Sequence, residues 1–312
     1  MRILFTGASS FTGFWFVREL ARAGHEIVAT FRRPLDAYAE DARRVRVALL
    51  KPVCQSVVGV EFGDDSFLAL LKSSPGFDLL CHHAAEVTDY KSAAFDVPGA
   101  LASNTRNIAA VTEALAARGC RRLLLTGSVF ENDEGAGSEG LPAFSPYGLS
   151  KALTAQVFRY HAARSKLHLG KFVIPNPFGP HEDPRFTAYL VRTWRAGKVA
   201  AVNTPSYVRD NIHVSLLAKA YVRFATSLPA DPGTSKLNPS GYPETQGAFA
   251  QRFATELRPR LGLPCALELR KQTQFDEPRV RINTDVLAWD ELGWDEGTAW
   301  DELAHHYAEK GG

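Results

Sequence analysis

A chain of 312 residues that is 45% hydrophobic and 22% charged can bury a large core, so a compact globular protein is expected. Its formal charge is only +2, with acidic and basic residues interspersed. That leaves no broad electrostatic footprint for nucleic acid or an anionic membrane, and any bound anion must be met locally.

Cys54, Cys81, Cys120 and Cys265 are far apart and form no CxxC pair, which argues against a disulfide framework or a zinc site, and no HExxH spacing occurs. No metal is expected. Met1 leads straight into an apolar strand without the regions of a signal peptide, and no apolar run reaches about 18 residues. A cytoplasmic location is the resulting expectation.

Residues 2–6 read as a short buried strand, followed by the turn Thr6-Gly7-Ala8-Ser9-Ser10-Phe11-Thr12-Gly13 and by helical periodicity over 14–23 that Gly24 ends. Between a strand and a helix N-terminus, backbone N–H groups and the helix dipole can hold a pyrophosphate. Gly7 permits the tight turn, and Gly13 lets helix and strand approach. Ser10 replaces the middle glycine of the usual pattern. The next strand, 25–31, ends in Phe31-Arg32-Arg33. An NAD site normally has an acidic residue there to hold the ribose 2′-hydroxyl, whereas arginine suits a 2′-phosphate. NADP is therefore expected over NAD, although charged residues also close strands simply to be solvated.

The alternation continues with a strand at 77–82, a helix at 103–117, a strand at 121–126 and a helix at 147–165. This implies an α/β fold of the Rossmann type, a doubly wound parallel sheet with helices on both faces. From about residue 175, Pro175, Pro177, Pro180, Pro184 and Pro205 break the rhythm, and a smaller C-terminal α/β lobe is expected. The expected division is a dinucleotide-binding domain at 1–175, with 207–237 returning to it, and a substrate-binding lobe at 176–206 and 238–312.

Tyr147-Gly148-Leu149-Ser150-Lys151 opens the helix after Ser145-Pro146, and a spacing of four puts the tyrosine and lysine on one helical face. An ammonium close to a phenol stabilises the phenolate, so the tyrosine can exchange a proton with a carbinol or carbonyl oxygen near neutrality. Upstream, Leu125-Thr126-Gly127-Ser128-Val129-Phe130 offers two hydroxyls, Thr126 and Ser128, either of which could hydrogen-bond the reacting oxygen.

These motifs together resemble the extended short-chain dehydrogenases/reductases of the NAD-dependent epimerase/dehydratase family over nearly the whole chain. Glu61-Phe62-Gly63-Asp64 is similar to the family's adenine-side turn, and His82-His83-Ala84-Ala85 to its fourth-strand cofactor contact. Asn176-Pro177-Phe178-Gly179-Pro180 is similar to its Asn-Val-Tyr-Gly-Pro substrate turn, and Arg209-Asp210-Asn211-Ile212-His213-Val214 to its Arg-Asp-Phe-Ile-His-Val segment. Residues 279–285 and Glu291-Leu292-Gly293-Trp294 resemble the stretch that supplies a further phosphate arginine and closes with a Leu-Gly-Trp turn.

The resemblance implies Thr126, three residues before Val129, as the catalytic hydroxyl, with Ser128 as second choice beside Tyr147 and Lys151. It implies cofactor contacts from Gly7, Ser9, Ser10, Phe11, Thr12 and Gly13 at the phosphates, and from Arg32, Arg33, Glu61 and Phe62 on the adenosine side. His83, Ala84, Ala85, Tyr147 and Lys151 complete that set. A nucleotide-diphosphate sugar is the implied substrate, held by Asn176, Arg209 and Arg281.

Members of the family reduce 4-keto sugars, epimerise at C4 or dehydrate. The 4,6-dehydratases place Asp-Glu directly after the catalytic threonine, and Gly127-Ser128 here lack that acid and base. Epimerases recycle a tightly held NAD, whereas a net reductase draws on NADPH, so Phe31-Arg32-Arg33 tips the expectation to reduction of a keto group. The alternatives are an NAD-dependent sugar-nucleotide 4-epimerase and a non-catalytic NADP-binding sensor, against which Tyr147 and Lys151 stand. A homodimer through helices 104–118 and 147–165 is implied as well. No nucleic-acid or membrane partner is expected.

Overall fold

The structure is a computed structural model and describes residues 1–38 and 41–309. The chain begins with β1 (Arg2–Thr6), α1 (Phe11–Arg22), β2 (Glu26–Phe31), α2 (Asp41–Leu50), β3 (Gln55–Val58), α3 (Asp65–Ser73) and β4 (Leu79–His82). It continues through α4 (Val97–Asn104), α5 (Ile108–Ala117), β5 (Arg122–Ser128), β6 (Ala136–Gly137), α6 (Pro146–Arg164), β7 (His168–Ile174) and β8 (Asn176–Phe178). Next come α7 (Phe186–Arg195), β9 (Ala200–Val202), β10 (Val208–His213), α8 (Val214–Ser227), β11 (Gly233–Leu237) and β12 (Pro239–Ser240). The last described elements are β13 (Tyr242–Thr245), α9 (Gln246–Leu261), β14 (Leu267–Leu269), β15 (Val280–Ile282), β16 (Asp285–Val286) and α10 (Glu296–Glu309).

Two units are distinguished by their internal contacts. The first comprises residues 1–134, 141–174 and 218–238. Its seven-stranded sheet has the order β11-β7-β5-β4-β1-β2-β3, and every pairing is parallel. Parallel strands are covered on both faces, which is why Ile3, Leu4, Phe5, Leu79, Leu80 and Cys81 form unbroken apolar runs that are fully buried. On one face Leu123 and Leu125 pack with Phe67, Leu115 and Phe158. On the other, Phe16 stacks on Tyr221 at 3.9 Å between ring centroids, with Phe172 edge-on to both. Strand order reverses between β1 and β4, and in open sheets of this kind ligands bind at the carboxyl ends of the strands flanking such a reversal. The doubly wound Rossmann-type sheet expected from the alternation of elements is therefore present.

The helix expected at 103–117 is interrupted. Asn107 adopts a left-handed conformation at φ 49°, and its side-chain amide donates to the Gly63 carbonyl at 2.8 Å, so α4 and α5 are separate elements. Asparagine is one of the few residues that tolerates this conformation.

The second unit comprises residues 135–140, 175–217 and 239–312. Its sheet runs β13-β10-β15-β6, with β8 also paired to β10. Phe178, Trp194, Phe249, Phe253 and Trp300 fill its core. The expected return of 207–237 to the first unit differs from this division, in which only 218–238 return. The reason is β10, whose ladder partners β8, β13 and β15 all belong to the second unit.

Among the described residues no helix is long and apolar enough to cross a membrane. No group of His, Cys, Asp or Glu among them is arranged to hold a metal ion.

Candidate active site

The turn between β1 and α1 demands glycine at two places. Gly7 has φ +82°, and a Cβ there would lie 2.7 Å from the Ala84 nitrogen; one on Gly13 would lie 2.3 Å from the Gly7 carbonyl oxygen. Ser10 needs no such freedom. Its φ of −72° is ordinary, and its hydroxyl caps α1 by accepting the Gly13 N–H at 3.2 Å while donating to the Gly7 carbonyl at 2.8 Å. The serine that departs from the usual glycine thus turns its side chain inward. Phe11 is buried in the unit's interior. From α2, the buried Arg46 donates Nε to the Ser9 carbonyl at 3.0 Å.

Beyond β2, Arg32 lies 3.5 Å from the Glu61 carboxylate, and Arg106 reaches the other oxygen of that carboxylate at 3.9 Å. These are exposed pairs, and Arg33 is exposed too. Such pairs contribute little on their own and exchange partners readily. No acidic side chain closes β2. Phe62 is a core residue, packed against His82, Phe67 and Phe158.

His82 ends β4 and His83 follows it. Thr6 Oγ1 accepts the Ala84 N–H at 3.1 Å and lies 3.0 Å from His82 Nδ1. His83 bridges further: Nε2 is 3.0 Å from Ser10 Oγ and 3.1 Å from Thr12 Oγ1, and Nδ1 is 2.9 Å from Thr126 Oγ1. Burial holds both imidazoles down to about 3, with the Lys151 charge adding to the effect. Ala84 and Ala85 follow as half-buried small residues, Ala84 lying against Gly7 of the β1–α1 turn.

Ser145 caps α6 by accepting the Gly148 N–H, and Pro146 stands in its first turn. One turn into the helix, the buried Lys151 donates Nζ to the Thr126 carbonyl at 2.6 Å. Burial lowers its pKa to about 8, while the Glu131 carboxylate pulls the other way. Tyr147 is half-buried, with Tyr90 and Phe95 edge-on to its ring at 5.5 and 6.0 Å. Thr126 is 4% exposed, whereas Ser128 is only half-buried.

Below the end of β5 lies an ionic network. Lys171 meets Glu131 at 2.5 Å and Glu134 at 2.7 Å, and Glu134 also accepts from Lys236 at 3.0 Å and from Asn238 at 2.9 Å. The other Glu131 oxygen accepts the Ser128 N–H at 2.7 Å.

In the second unit Asn176 on β8 pairs with Asn211 on β10. Arg209 is buried, with donors on the carbonyls of Val208, Pro278 and Arg279 at 2.9 to 3.2 Å and on Glu277 at 3.0 Å, and its guanidinium lies over the Tyr207 ring. It lines an open cleft of about 660 Å³ together with Tyr189, Asn203, Gln246 and Glu277. Arg281 is its register partner on β15 and is 1% exposed.

The model of the NAD dependent epimerase/dehydratase family matches residues 3–238. The chain belongs to this family. A search of curated proteins finds no match. Among solved structures, the UDP-glucose 4-epimerase of Thermotoga maritima with UDP-glucose is 17% identical at a TM-score of 0.74, with all of both chains covered. The dTDP-glucose 4,6-dehydratase DesIV of Streptomyces venezuelae, with NAD and TYD bound, is 20% identical at a TM-score of 0.70, over 99% of this chain and 97% of that one. The UDP-glucuronic acid 4-epimerase of Bacillus cereus, in complex with UDP-glucuronic acid and NAD, is 14% identical at 0.71, over 99% of this chain and all of that one. At these identities the likeness shows a shared fold.

Within that family fold, sequence reasoning missed Arg46, the bridging bonds of His83, and the network around Glu131 and Lys171. Arg46 stands in a run with Arg43 and Arg44 that reads as a solvated helix face. The one available signal for the network was a lysine inside the apolar run of β7. A buried lysine needs a carboxylate partner.

Proposed function

We propose that this chain is an NADP-dependent oxidoreductase that reduces a keto group on a nucleotide-diphosphate sugar. The observation that carries the reading is the seating of Lys151, whose ammonium is held 2.6 Å from the Thr126 carbonyl at the carboxyl end of β5, one turn along α6 from Tyr147. A cation there stabilises a tyrosine phenolate, and the carboxyl end of β1 in the same parallel sheet carries a glycine turn suited to a pyrophosphate.

The fit to a dinucleotide rests on Gly7 and Gly13, where any side chain would collide with backbone, and on Ser10 turning inward. Ser9, Ser10, Phe11 and Thr12 would hold the pyrophosphate through the start of α1, Ala84 and Ala85 would line its path, and Phe62 would contribute backbone beside Glu61. Arg32 and Arg33 would meet a 2′-phosphate, with Arg32 leaving Glu61, since no acid closes β2. When bound, the reduced nicotinamide supplies the hydride that the carbonyl carbon accepts. Tyr147 gives its phenolic proton to the carbonyl oxygen as the C–O π bond breaks, Lys151 holds the resulting phenolate, and solvent restores the proton. The end of β5 supplies a hydroxyl to the reacting oxygen.

The substrate class is supported by the sugar nucleotides bound in the similar structures and by Asn176 and Arg209 on the second unit's sheet. Arg209 would exchange Glu277 for a phosphate; Arg281, buried beside it, would add charge rather than contact. A homodimer through α5 and α6 belongs to the same reading, supported by exposed Leu149 and Tyr160 on α6 and testable by light scattering.

A second reading, an NAD-recycling 4-epimerase, is favoured by the NAD bound in the similar structures. The deciding experiment titrates NADPH and NADH and then offers, with the tighter cofactor, UDP- and dTDP-linked 4-keto sugars and the corresponding 4-hydroxy sugars, whose C4 configuration can invert. Net oxidation of NADPH supports reduction. Equal affinities with C4 inversion and no net cofactor change establish the epimerase.

A further inference from the structure

Thr126 and Ser128 are two residues apart on β5, so their side chains leave the same face of the sheet. Their hydroxyl protons have different fates. Ser10 has a single hydroxyl proton and gives it to the Gly7 carbonyl at 2.8 Å. Towards His83 Nε2, 3.0 Å away, Ser10 is therefore an acceptor, which puts the imidazole proton on Nε2. Thr12 Oγ1, 3.1 Å from the same nitrogen, is a second acceptor for that proton, whereas the opposite tautomer would set the Nε2 lone pair against that of Ser10. Nδ1 is left with a lone pair, and at 2.9 Å it can only accept from Thr126.

The imidazole cannot release that proton by charging itself, because burial and the nearby Lys151 keep it neutral. Thr126 is 4% exposed, with the buried Tyr221 phenol also beside it. Its side chain is part of a closed chain running from the phosphate turn through His83 to β5.

Ser128 is the converse. Its Oγ accepts the Phe130 N–H at 3.2 Å, and among the described residues its own proton meets no acceptor. Its backbone is fixed by the Glu131 carboxylate at 2.7 Å, which the Lys171 ammonium in turn anchors. Gly127 lets this network close under the strand, since a Cβ there would lie 2.8 Å from Lys171 Cε and 2.9 Å from Glu131 Oε1. A serine with a rigid backbone, a free donor and partial exposure has what a hydrogen bond to a reacting oxygen requires.

We infer that Ser128, rather than Thr126, is the hydroxyl that meets the reacting oxygen, and that His83 is a positioning residue that binds the Thr126 proton away from it. No covalent bond to Ser128 forms or breaks; its O–H stabilises the oxygen while Tyr147 delivers the proton. The inference rests on the proposed reductase reading. Glu131 positions the serine and supports the charge of Lys151, so one carboxylate serves both groups.

The test combines nitrogen NMR of the full chain labelled with 15N-histidine with turnover of the same panel of UDP- and dTDP-linked 4-keto sugars. His83 is expected to show a protonated Nε2 and a bare Nδ1, without titrating between about pH 5 and 8, and Thr126→Val is expected to shift the Nδ1 resonance. Ser128→Ala is expected to lower kcat by about 100-fold or more with KM little changed, and Ser128→Thr to restore part of it. Thr126→Val is expected to cost no more than about tenfold, the scale of one neutral hydrogen bond. A proton on Nδ1, or a larger loss of kcat in Thr126→Val than in Ser128→Ala, overturns the inference. Failure of the wild-type chain to turn over any panel member overturns the substrate reading instead, and the histidine spectrum still decides whether the Thr126 proton is committed.

Discussion

Arg46 and Ser9 are joined across the first unit: the guanidinium Nε, with the arginine fully buried, donates to the Ser9 carbonyl at 3.0 Å and ties α2 to the glycine turn between β1 and α1. Arg46 should therefore act on dinucleotide binding through the shape of the turn, whereas Arg32, exposed beyond β2, should act through a 2′-phosphate alone. Arg46→Ala is expected to weaken NADH and NADPH by the same factor and to lower stability by about 1.5–3 kcal/mol, the range for a hydrogen bond with a charged partner. Arg32→Ala is expected to weaken only NADPH, by about tenfold or more. Calorimetric titration of both cofactors separates the two. If Arg46→Ala discriminates between them, it contacts the 2′-phosphate itself.

Lys171 sits between Glu131 and Glu134, both buried. Removing a partner from a buried ion pair leaves an uncompensated charge, which costs about 3–5 kcal/mol. Lys171→Met should be destabilised on that scale in urea unfolding, and adding Glu134→Gln should recover part of the loss. A Lys171→Met protein as stable as the parent would mean that water reaches the two carboxylates.

The parts of this fold that a sequence displays are those with local causes. A buried strand closed by Gly7, and a helix opened by Ser145 and Pro146, announce themselves within a few residues. β3 did not, because Gln55–Val58 is a four-residue edge strand, half-exposed and without alternation. The break at Asn107 is held by the Gly63 carbonyl, 44 positions away, and no proline or glycine marks it. The candidate site divides in the same way. Glycine spacing and the Tyr147–Lys151 interval are local, whereas the tautomer of His83 depends on Ser10 and Thr126, 73 and 43 positions distant. The choice between two hydroxyls two residues apart is tertiary information.

Tyr147 and Lys151 should fail in different ways. Tyr147→Phe removes only the proton-transfer group, so turnover should fall to near zero with dinucleotide affinity intact; Lys151→Met should lose affinity as well. Lys151 is held down to about 8 by burial, so the ammonium that supports the phenolate is lost as pH rises through that value, and the rate should fall on the alkaline side. The Glu131 charge raises the lysine's pKa, so Glu131→Gln should move the alkaline limb to lower pH. A limb that stays in place in that variant would assign the falling rate to another group.

Acid should loosen the first unit before the second. His82 and His83 are held neutral down to about 3 by burial, whereas in an unfolded chain each takes a proton near the ordinary histidine value. Between about pH 6.5 and 3 the unfolded form of this unit therefore binds up to two more protons, and its stability falls as pH falls, by about 1.4 kcal/mol per pH unit for each proton. In the second unit His213 is also held to about 3. That unit also contains two carboxyls of the opposite sign: burial raises Asp210 to about 6 and Glu182 to about 7. From those values down to the ordinary carboxylate range, the native form binds protons that the unfolded form does not. Stability is gained there as pH falls, which offsets His213. Hydrogen–deuterium exchange at pH 7 and pH 5, corrected for intrinsic rates, should show protection lost in β1, β4 and β5 while β10 and β13 keep theirs. Asp210→Asn removes one offsetting proton, so the second unit's stability should decline more steeply with acid by about 1.4 kcal/mol per pH unit between about pH 6 and 4. An unchanged slope in Asp210→Asn would show that Asp210 is ionised throughout, held by the N–H groups of Gly241 and Asn283 that it accepts.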